Sequence, residues 1–256
     1  MELIIFYILI GLIGGITAGM LGLGGGIIFV PGLLLVHKFY DLFSEYQLQT
    51  AVYTSLICIV FAGSASAYLH FKNDLIEFSF LKRYSLIVGV GCFLGIFLLE
   101  HLESSLLESI YSVVLLILAF LLISNAKIIK NNINRLKVLG SFYFFVNGVI
   151  SSLMGIGGGT LSVPYLTFIL QDIKKSIATA SAIGLVISVA SIIFMVLINT
   201  NILISKINYL SLIAIIPSSI IGSYIGVSLL KIIDPSRVKI IFASLLVLIA
   251  LYLFSE

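Results

Sequence analysis

The chain has 256 residues, of which 61% are hydrophobic and only 10% are charged, with a formal net charge of +3. Soluble domains have about 25% charged residues, so 14 basic and 11 acidic side chains cannot cover a soluble fold of this length. The composition excludes a soluble enzyme and a disordered chain. It also excludes a nucleic-acid-binding protein, because the basic residues form no run. An all-α polytopic integral membrane protein remains.

Charge-free stretches divide the chain into candidate membrane segments. A spanning helix needs about 20 mainly apolar residues. Six stretches fit one crossing each: about 46–71, 80–99, 106–126, 176–200, 205–230 and 236–255. The start, Met1-Glu2-Leu3, has no basic n-region of a signal peptide, so the first hydrophobic segment is expected to stay in the mature protein.

Two charge-free stretches, 3–37 and 138–171, are too long for one crossing. Each would measure about 50 Å as a straight helix at about 1.5 Å per residue, whereas the hydrocarbon core is about 30 Å thick. Each is therefore predicted to be a broken or re-entrant helical hairpin. The breaks are expected at two glycine clusters, because glycine costs about 1 kcal/mol relative to alanine inside a helix.

The two glycine clusters are copies of each other. Gly22-Leu23-Gly24-Gly25-Gly26 precedes Val30-Pro31, and Gly155-Ile156-Gly157-Gly158-Gly159 precedes Val163-Pro164. One constant offset, which we call the repeat offset, matches Gly22 with Gly155 and Pro31 with Pro164. Three hydrophobic segments follow each copy, with Ala51–Leu56 and Ala178–Ile183 at equivalent places. The chain is therefore predicted to be an internal duplication of residues 1–130 and 131–256.

Loop charges predict the topology. If each long stretch crossed once, eight Lys and Arg residues would lie on one side and six on the other. If each stretch returns to the side that it entered from, twelve share one side, and only Lys38 and Lys206 face the other. The positive-inside rule favours the returning arrangement, with both termini outside. Each half then has an odd number of net crossings, which makes the halves inverted repeats, an architecture typical of secondary transporters.

The glycine tips are the predicted substrate site. In each hairpin the second arm begins at the glycines, so its helix N-terminus lies inside the membrane with unpaired N–H groups and about half a positive charge. Two such ends would bind an anion at the midplane. The candidate binding residues are Thr17, Gly22, Gly24, Gly25, Gly26, Thr54 and Ser55 in the first half, and Asn147, Ser151, Gly155, Gly157, Gly158, Gly159, Thr160 and Ser181 in the second.

At these motifs the sequence resembles the sulfite exporter TauE/SafE family, also called the 4-toluene sulfonate uptake permease family. The residues that carry the resemblance are Gly22–Gly26 with Val30-Pro31, Ala51–Leu56, and their counterparts in the second half. The resemblance covers essentially the whole chain. It implies a carrier in the bacterial or archaeal inner membrane that moves sulfite, sulfonates such as sulfoacetate, or related sulfur-containing anions, usually outward.

The sequence leaves three other functions to be weighed. A passive anion channel, or a carrier for another small organic anion, is compatible with the same hairpins. An intramembrane enzyme is not expected, because the charge-free stretches offer only the isolated Cys58 and Cys92. No cofactor, metal site or nucleotide motif is expected either. The expected partners are a small anion and the lipid bilayer, with no nucleic acid, and glycine-rich helix faces leave a homodimer open.

Overall fold

The structure is a computed structural model that describes residues 2–22, 24–43, 45–123, 133–198, 206–229 and 232, together with 243–244, 246–248 and 250–251. Side chains are described for these residues except 121–123 and 133–138. Within this part of the chain the backbone forms helices and turns, without strands. The predicted all-α fold class is confirmed, and five of the helices are long and apolar enough to cross a membrane.

Nine helices have bounds within the described part of the chain, and the described residues between 243 and 251 are helical as well. In chain order the nine helices are α1 Glu2–Leu21, α2 Gly26–Phe39, α3 Gln47–Lys72, α4 Phe78–His101, α5 Ser104–Ile123, α6 Ile133–Met154, α7 Gly159–Leu170, α8 Ile173–Ile198 and α9 Tyr209–Leu229. The five candidate spans are α1, α3, α4, α8 and α9. The predicted boundary at residue 130 and most of the predicted helix 236–255 fall outside the described residues.

Both long stretches break at their glycine clusters. α1 ends at Leu21 before α2 begins at Gly26, and α6 ends at Met154 before α7 begins at Gly159. Three glycines at each break have positive φ angles: 67°, 74° and 81° at Gly22, Gly24 and Gly25, and 63°, 75° and 70° at Gly155, Gly157 and Gly158. A left-handed conformation costs an L side chain about 1–2 kcal/mol. The two breaks therefore follow the same backbone path and need glycine at the same positions.

The first helix of each half packs against a helix of the other half, and we call these contacts the exchanged helix pairs. α1 lies against α9, and α4 lies against α6. Because α6 is the counterpart of α1 in the duplicated sequence, and α9 is the counterpart of α4, these two contacts are equivalent. Likewise, α3 packs against α9 as α8 packs against α4, while α3 and α8 pack against each other. A two-fold axis between the halves would generate this pattern of contacts.

Glycines allow the exchanged helices to approach closely. A Cβ added to Gly222 would lie 3.0 Å from the Cα of Gly15, where α9 meets α1. A Cβ added to Gly91 would lie 3.1 Å from the Cα of Gly148, where α4 meets α6. These small-residue faces therefore pack helices within one chain. Among the described residues, and apart from the adjoining backbone of α4, no atom lies within 4 Å of the Cβ position of Gly89.

Ion pairs mark the two ends of the helix bundle. Glu77 directly precedes α4 and Glu100 lies in its last turn, so these residues lie at opposite ends. Lys206 Nζ lies 3.0 Å from both carboxylate oxygens of Glu100, and Lys175 Nζ lies 3.0 Å from Oε1 of Glu77. We refer to these as the Glu100 end and the Glu77 end. Lys38 Nζ lies 3.4 Å from Oε2 of Glu108, at the Glu100 end.

The same ion pairs bear on the path of the hairpins. If each hairpin crossed the membrane once, Lys175 would lie at the end opposite Glu77, and Lys206 at the end opposite Glu100. Both pairs are instead in contact. The ion pairs thus have the geometry that returning hairpins require.

Candidate functional site

The two glycine clusters lie against each other in the buried interior. A Cβ added to Gly24 would lie 3.4 Å from the Cα of Gly157, and one added to Gly26 would overlap the carbonyl oxygen of Gly155. These glycines are all buried. Gly22 approaches the second turn of α8, where an added Cβ would lie 2.5 Å from the carbonyl oxygen of Ile177. The contact predicted between the two tips is therefore present, and it is made by backbone atoms.

Two helices begin where the tips meet. Gly25 and Gly158 cap α2 and α7 in the left-handed conformation, and neither helix has a side-chain cap. The first N–H groups of a helix have no acceptor within the helix, and the helix dipole adds about half a positive charge there. Two buried N-termini at one contact give a site that favours an anion.

The second hairpin surrounds its tip with polar side chains. Asn147 Nδ2 donates to Ser162 Oγ at 2.8 Å and to the carbonyl oxygen of Gly158 at 3.4 Å. Ser151 Oγ donates to Asn147 Oδ1 at 2.8 Å. All four residues are buried. The structure therefore brings together Asn147, Ser151 and Gly158 from the predicted site, and adds Ser162 to them.

Thr160 lies in the first turn of α7 and is 1% exposed. Its Oγ1 has no hydrogen-bond partner among the described residues. A buried hydroxyl without a partner costs about 1–3 kcal/mol, so such atoms are rare in a folded protein. A ligand at the helix N-terminus would supply the missing partner.

The first hairpin is apolar at the equivalent positions. At the repeat offset, Asn147 corresponds to Gly14, and Ser162 to Phe29. The Phe29 ring lies in this space, because a Cβ added to Gly25 would be 2.8 Å from two of its ring carbons. Phe29 is fully buried. The two tips thus have the same backbone path but different chemistry, with a polar wall in one hairpin and an aromatic wall in the other.

Side chains from α3 and α8 reach the hairpins and the helices beside them. Ser55 Oγ donates to the carbonyl oxygen of Gly155 at 2.8 Å. Thr54 Oγ1 accepts from the backbone N–H of Asn208 at 3.1 Å, directly before α9. Thr179 Oγ1 accepts from the backbone N–H of Glu77 at 3.0 Å, directly before α4. These contacts make Thr179 the counterpart of Thr54. The alignment of Ala51–Leu56 with Ala178–Ile183 is therefore wrong by two residues.

Two predicted site residues donate their hydroxyls within their own helices. Thr17 Oγ1 donates to the carbonyl oxygen of Gly14 at 2.7 Å, and Ser181 Oγ donates to that of Ala178 at 2.8 Å. Such local bonds are common for Ser and Thr in helices. Neither hydroxyl has a hydrogen bond to the described residues of the glycine tips, so their role in binding stays a prediction.

Sequence reasoning missed Asn208. Its side chain contacts Tyr7 and His37, and its Oδ1 accepts from the backbone N–H of Ser211 at 3.0 Å. This is the bond of a helix N-cap, and an Asn directly before an apolar segment is the signal for one. The N-cap could therefore have been predicted. The contacts with α1 and α2 could not, because they depend on how the helices pack.

Backbone N–H groups and hydroxyls are what the tips offer a ligand. Among the described residues, no group of three or more His, Cys, Asp and Glu side chains is placed to hold a metal ion. Cys58 and Cys92 are free and buried. The buried amides and hydroxyls suit a small oxyanion, whose oxygens accept hydrogen bonds.

The family follows from a comparison with known proteins. A family model described as "Sulfite exporter TauE/SafE" matches residues 7–253, which include both hairpins and both glycine clusters. The chain belongs to the TauE/SafE family. The resemblance seen at the glycine motifs is therefore confirmed. No solved structure is significantly similar to this TauE/SafE chain.

Curated relatives of this TauE/SafE chain are named as transporters. "Probable membrane transporter protein YunE" of Bacillus subtilis is 24% identical over 98% of this chain and 97% of the relative. A "Probable membrane transporter protein" of Haemophilus influenzae is 27% identical over 73% of this chain and 71% of the relative. "Probable membrane transporter protein MJ0441" of Methanocaldococcus jannaschii is 26% identical over 96% and 93%. These matches support a multi-pass membrane transporter.

Proposed function

We propose that this protein is a secondary transporter that exports a small sulfur-containing anion, either sulfite or an organosulfonate such as sulfoacetate, across a bacterial inner membrane. The observation that carries the proposal is the contact between the two glycine tips, where two helix N-termini meet in a buried site. Residues 3–37 and 138–171 contain no Lys or Arg, so amides and hydroxyls are the groups left to bind the anion. In this function the anion crosses the membrane chemically unchanged.

In the proposed transporter the two halves are inverted repeats, and the Glu100 end faces the outside of the cell. The exchanged helix pairs and the matching φ angles of the two breaks support a two-fold relation between the halves. The Glu77 end, with Lys175, belongs to the side that holds most of the loop Lys and Arg residues, and the positive-inside rule makes this side cytoplasmic. Substrate held between the repeats would then be reached alternately from the two ends.

A carrier for another small organic anion is the second candidate. The aromatic wall made by Phe29 favours it, because an inorganic anion would gain nothing from a benzene ring beside its site. A substrate with a charged head and a carbon substituent would match one polar and one aromatic wall. Competition between sulfite and larger anions distinguishes the two candidates.

The proposal is tested by sulfite counterflow in proteoliposomes, with sulfate, taurine and sulfoacetate as competitors. A carrier gives saturable exchange, which the preferred anion blocks. We expect exchange to be lost in Gly25→Leu and Gly158→Leu, because both glycines have positive φ angles and lie against side chains. Normal flux in both variants would refute binding at the tips. Flux that does not saturate and shows no counterflow would instead indicate a channel.

Thr160→Val is expected to change stability and transport in opposite directions. The variant removes a buried hydroxyl that has no partner among the described residues, so it should unfold at the same or a higher temperature. If that hydroxyl binds the anion, the KM for counterflow should rise about tenfold, the effect of about 1.4 kcal/mol of lost binding. Both quantities can be measured on the same preparation.

Thr167→Val is the matched control for this test. Thr167 lies two turns further along α7, and its Oγ1 is also buried and unpartnered among the described residues. We expect this variant too to unfold at the same or a higher temperature, but with an unchanged KM. If both variants leave the KM unchanged, Thr160 does not contact the substrate.

A further inference from the structure

His37 is a fully buried histidine in the last turn of α2, at the Glu100 end. Its Nδ1 lies 3.3 Å from the carbonyl oxygen of Gln47, and its Nε2 lies 3.2 Å from Nδ2 of Asn208. A carbonyl oxygen only accepts, so Nδ1 carries the proton and donates it. A neutral imidazole has one N–H. Nε2 is therefore unprotonated and accepts a hydrogen bond from Asn208.

The orientation of the Asn208 amide is fixed by its other partners. Its Oδ1 accepts from the backbone N–H of Ser211 at 3.0 Å, and its Nδ2 also donates to the Tyr7 hydroxyl at 2.8 Å. The backbone N–H of Asn208 donates to Thr54 Oγ1. Asn208 thus ties the start of α9 to α1, α2 and α3, in a network that requires His37 to be neutral.

A second proton on His37 is incompatible with this network. The new Nε2–H would point at the amide nitrogen of Asn208, so two donors would face each other. If the Asn208 side chain turned over to present Oδ1 to His37, the backbone N–H of Ser211 would lose its cap. A buried imidazolium without an acceptor is strongly unfavourable. Protonation of His37 therefore breaks either the contact between His37 and Asn208 or the cap of α9 at Ser211.

The surroundings of His37 supply no replacement acceptor among the described contacts. The charged or titratable groups at this end of the elements around it are Glu2, Tyr7, Lys38, Tyr40, Asp41, Glu45, Tyr46, Tyr53, Glu100, His101, Glu103, Glu108, Tyr111, Lys206 and Tyr209. Lys38 pairs with Glu108, and Lys206 pairs with Glu100. Tyr7 accepts from Asn208, and Tyr53 donates to Glu100.

We propose that His37 and Asn208 form a proton-operated latch at the Glu100 end. The neutral imidazole holds α9 against α1, α2 and α3. A proton that binds to the lone pair of Nε2 from the aqueous phase at this end breaks the bond to Asn208 and releases the start of α9. Loss of that proton to the same phase closes the latch again. In the proposed orientation the latch responds to the pH outside the cell.

The latch belongs to one end of the protein only. At the repeat offset the counterpart of His37 is Leu170, and the residue before α4 that corresponds to Asn208 is Glu77. Glu77 binds Lys175 through its carboxylate. The Glu77 end therefore has no histidine in this place, so acidification acts on the two ends differently.

The latch is tested by hydrogen–deuterium exchange of the full chain in detergent, at about pH 5 and about pH 8, on either side of the ordinary histidine pKa. Labelling times are scaled for the intrinsic exchange rate, and peptides that cover residues 206–216 are compared. We expect these amides to exchange about fivefold faster at the lower pH, the effect of one lost helix cap. Because no substrate is present, the outcome does not depend on the proposed transport function.

Three variants separate the latch from a general effect of pH. His37→Gln should keep residues 206–216 protected at both pH values, because a glutamine carbonyl accepts from Asn208 without titrating. Asn208→Asp should also keep them protected at low pH, because one carboxylate oxygen can cap Ser211 while the other accepts from Nε2–H. His101→Gln is the matched control, since His101 is exposed at the same end and contacts its own helix at Phe97. It should behave as the wild type.

Three results would overturn the latch. The first is equal protection of residues 206–216 in the wild type at both pH values. The second is a wild-type response to pH in His37→Gln. The third is the same low-pH loosening in Asn208→Asp, which keeps the histidine and therefore tests the proposal even if His37→Gln does not fold.

Discussion

Gly26→Ala is expected to separate the two hairpin tips and abolish transport. The added methyl group would overlap the carbonyl oxygen of Gly155, and it would lie 2.7 Å from Ile59 Cδ1 and 2.8 Å from the Cα of Ile156. Two of these three atoms belong to the backbone of the opposite tip, so a side-chain rotation cannot relieve the overlap. Overpacking a tight interior costs about 1–3 kcal/mol, and here we expect the upper value.

Unfolding of the Gly26→Ala variant can be followed through its own cysteines. The chain has no Trp, but Cys58 and Cys92 are free and buried, so a thiol-reactive fluorescent dye reports their exposure on heating. Gly89→Ala is the control, because Gly89 lies inside α4 and no atom of the described residues outside the adjoining α4 backbone lies within 4 Å of its Cβ position. Alanine is a better helix former than glycine by about 1 kcal/mol, so this variant should be at least as stable as the wild type. Wild-type stability and flux in Gly26→Ala would show that the tips do not touch.

The hairpins could be predicted from the sequence because the bilayer supplies a length scale. A charge-free stretch as long as 3–37 does not fit across the hydrocarbon core as one helix, and its glycines show where it must break. Both breaks lie at the predicted clusters, and the two tips are in contact. The duplication added a second line of evidence, because the same pattern recurs at 138–171.

The relative register of α3 and α8 could not be predicted in the same way. The loop between α2 and α3 is longer than the loop between α7 and α8, so the repeat offset no longer holds after the hairpins. Matching Thr54 by residue type then led to Ser181, whereas the hydrogen bonds show that Thr179 is its counterpart. Small polar residues occur at several neighbouring positions in both helices, so composition alone does not distinguish these registers.

Contacts between residues far apart in the chain could not be predicted from the sequence either. Tyr7, His37 and Asn208 lie up to 201 residues apart along the chain, and each one by itself is an ordinary polar residue near a helix end. Only the packing of α9 against α1 brings them together. The same holds for Phe29, which no pattern distinguishes from other apolar helix residues until its ring is seen beside Gly25.

Glu100→Gln is expected to destabilise the protein, because it leaves the charge of Lys206 without its counter-ion. The two side chains are only 12% and 15% exposed, and Lys206 Nζ contacts both carboxylate oxygens. Tyr53 donates to the same carboxylate at 2.8 Å. Breaking a fully buried pair costs about 3–5 kcal/mol, and this pair is slightly exposed, so we expect a loss of about 2 kcal/mol. Thermal unfolding with the thiol dye measures it.

The corresponding pair at the other end is the control for this prediction. Lys175 and Glu77 are at the same distance, 3.0 Å, but their side chains are 42% and 35% exposed. Exposed pairs contribute less than about 1 kcal/mol, so Glu77→Gln should change the unfolding temperature little. In addition, the exchanged variant with Glu100→Lys and Lys206→Glu should recover part of the stability lost in Glu100→Gln, since it restores opposite charges at the same place. Equal effects of Glu100→Gln and Glu77→Gln would show that burial does not strengthen the pair at the Glu100 end.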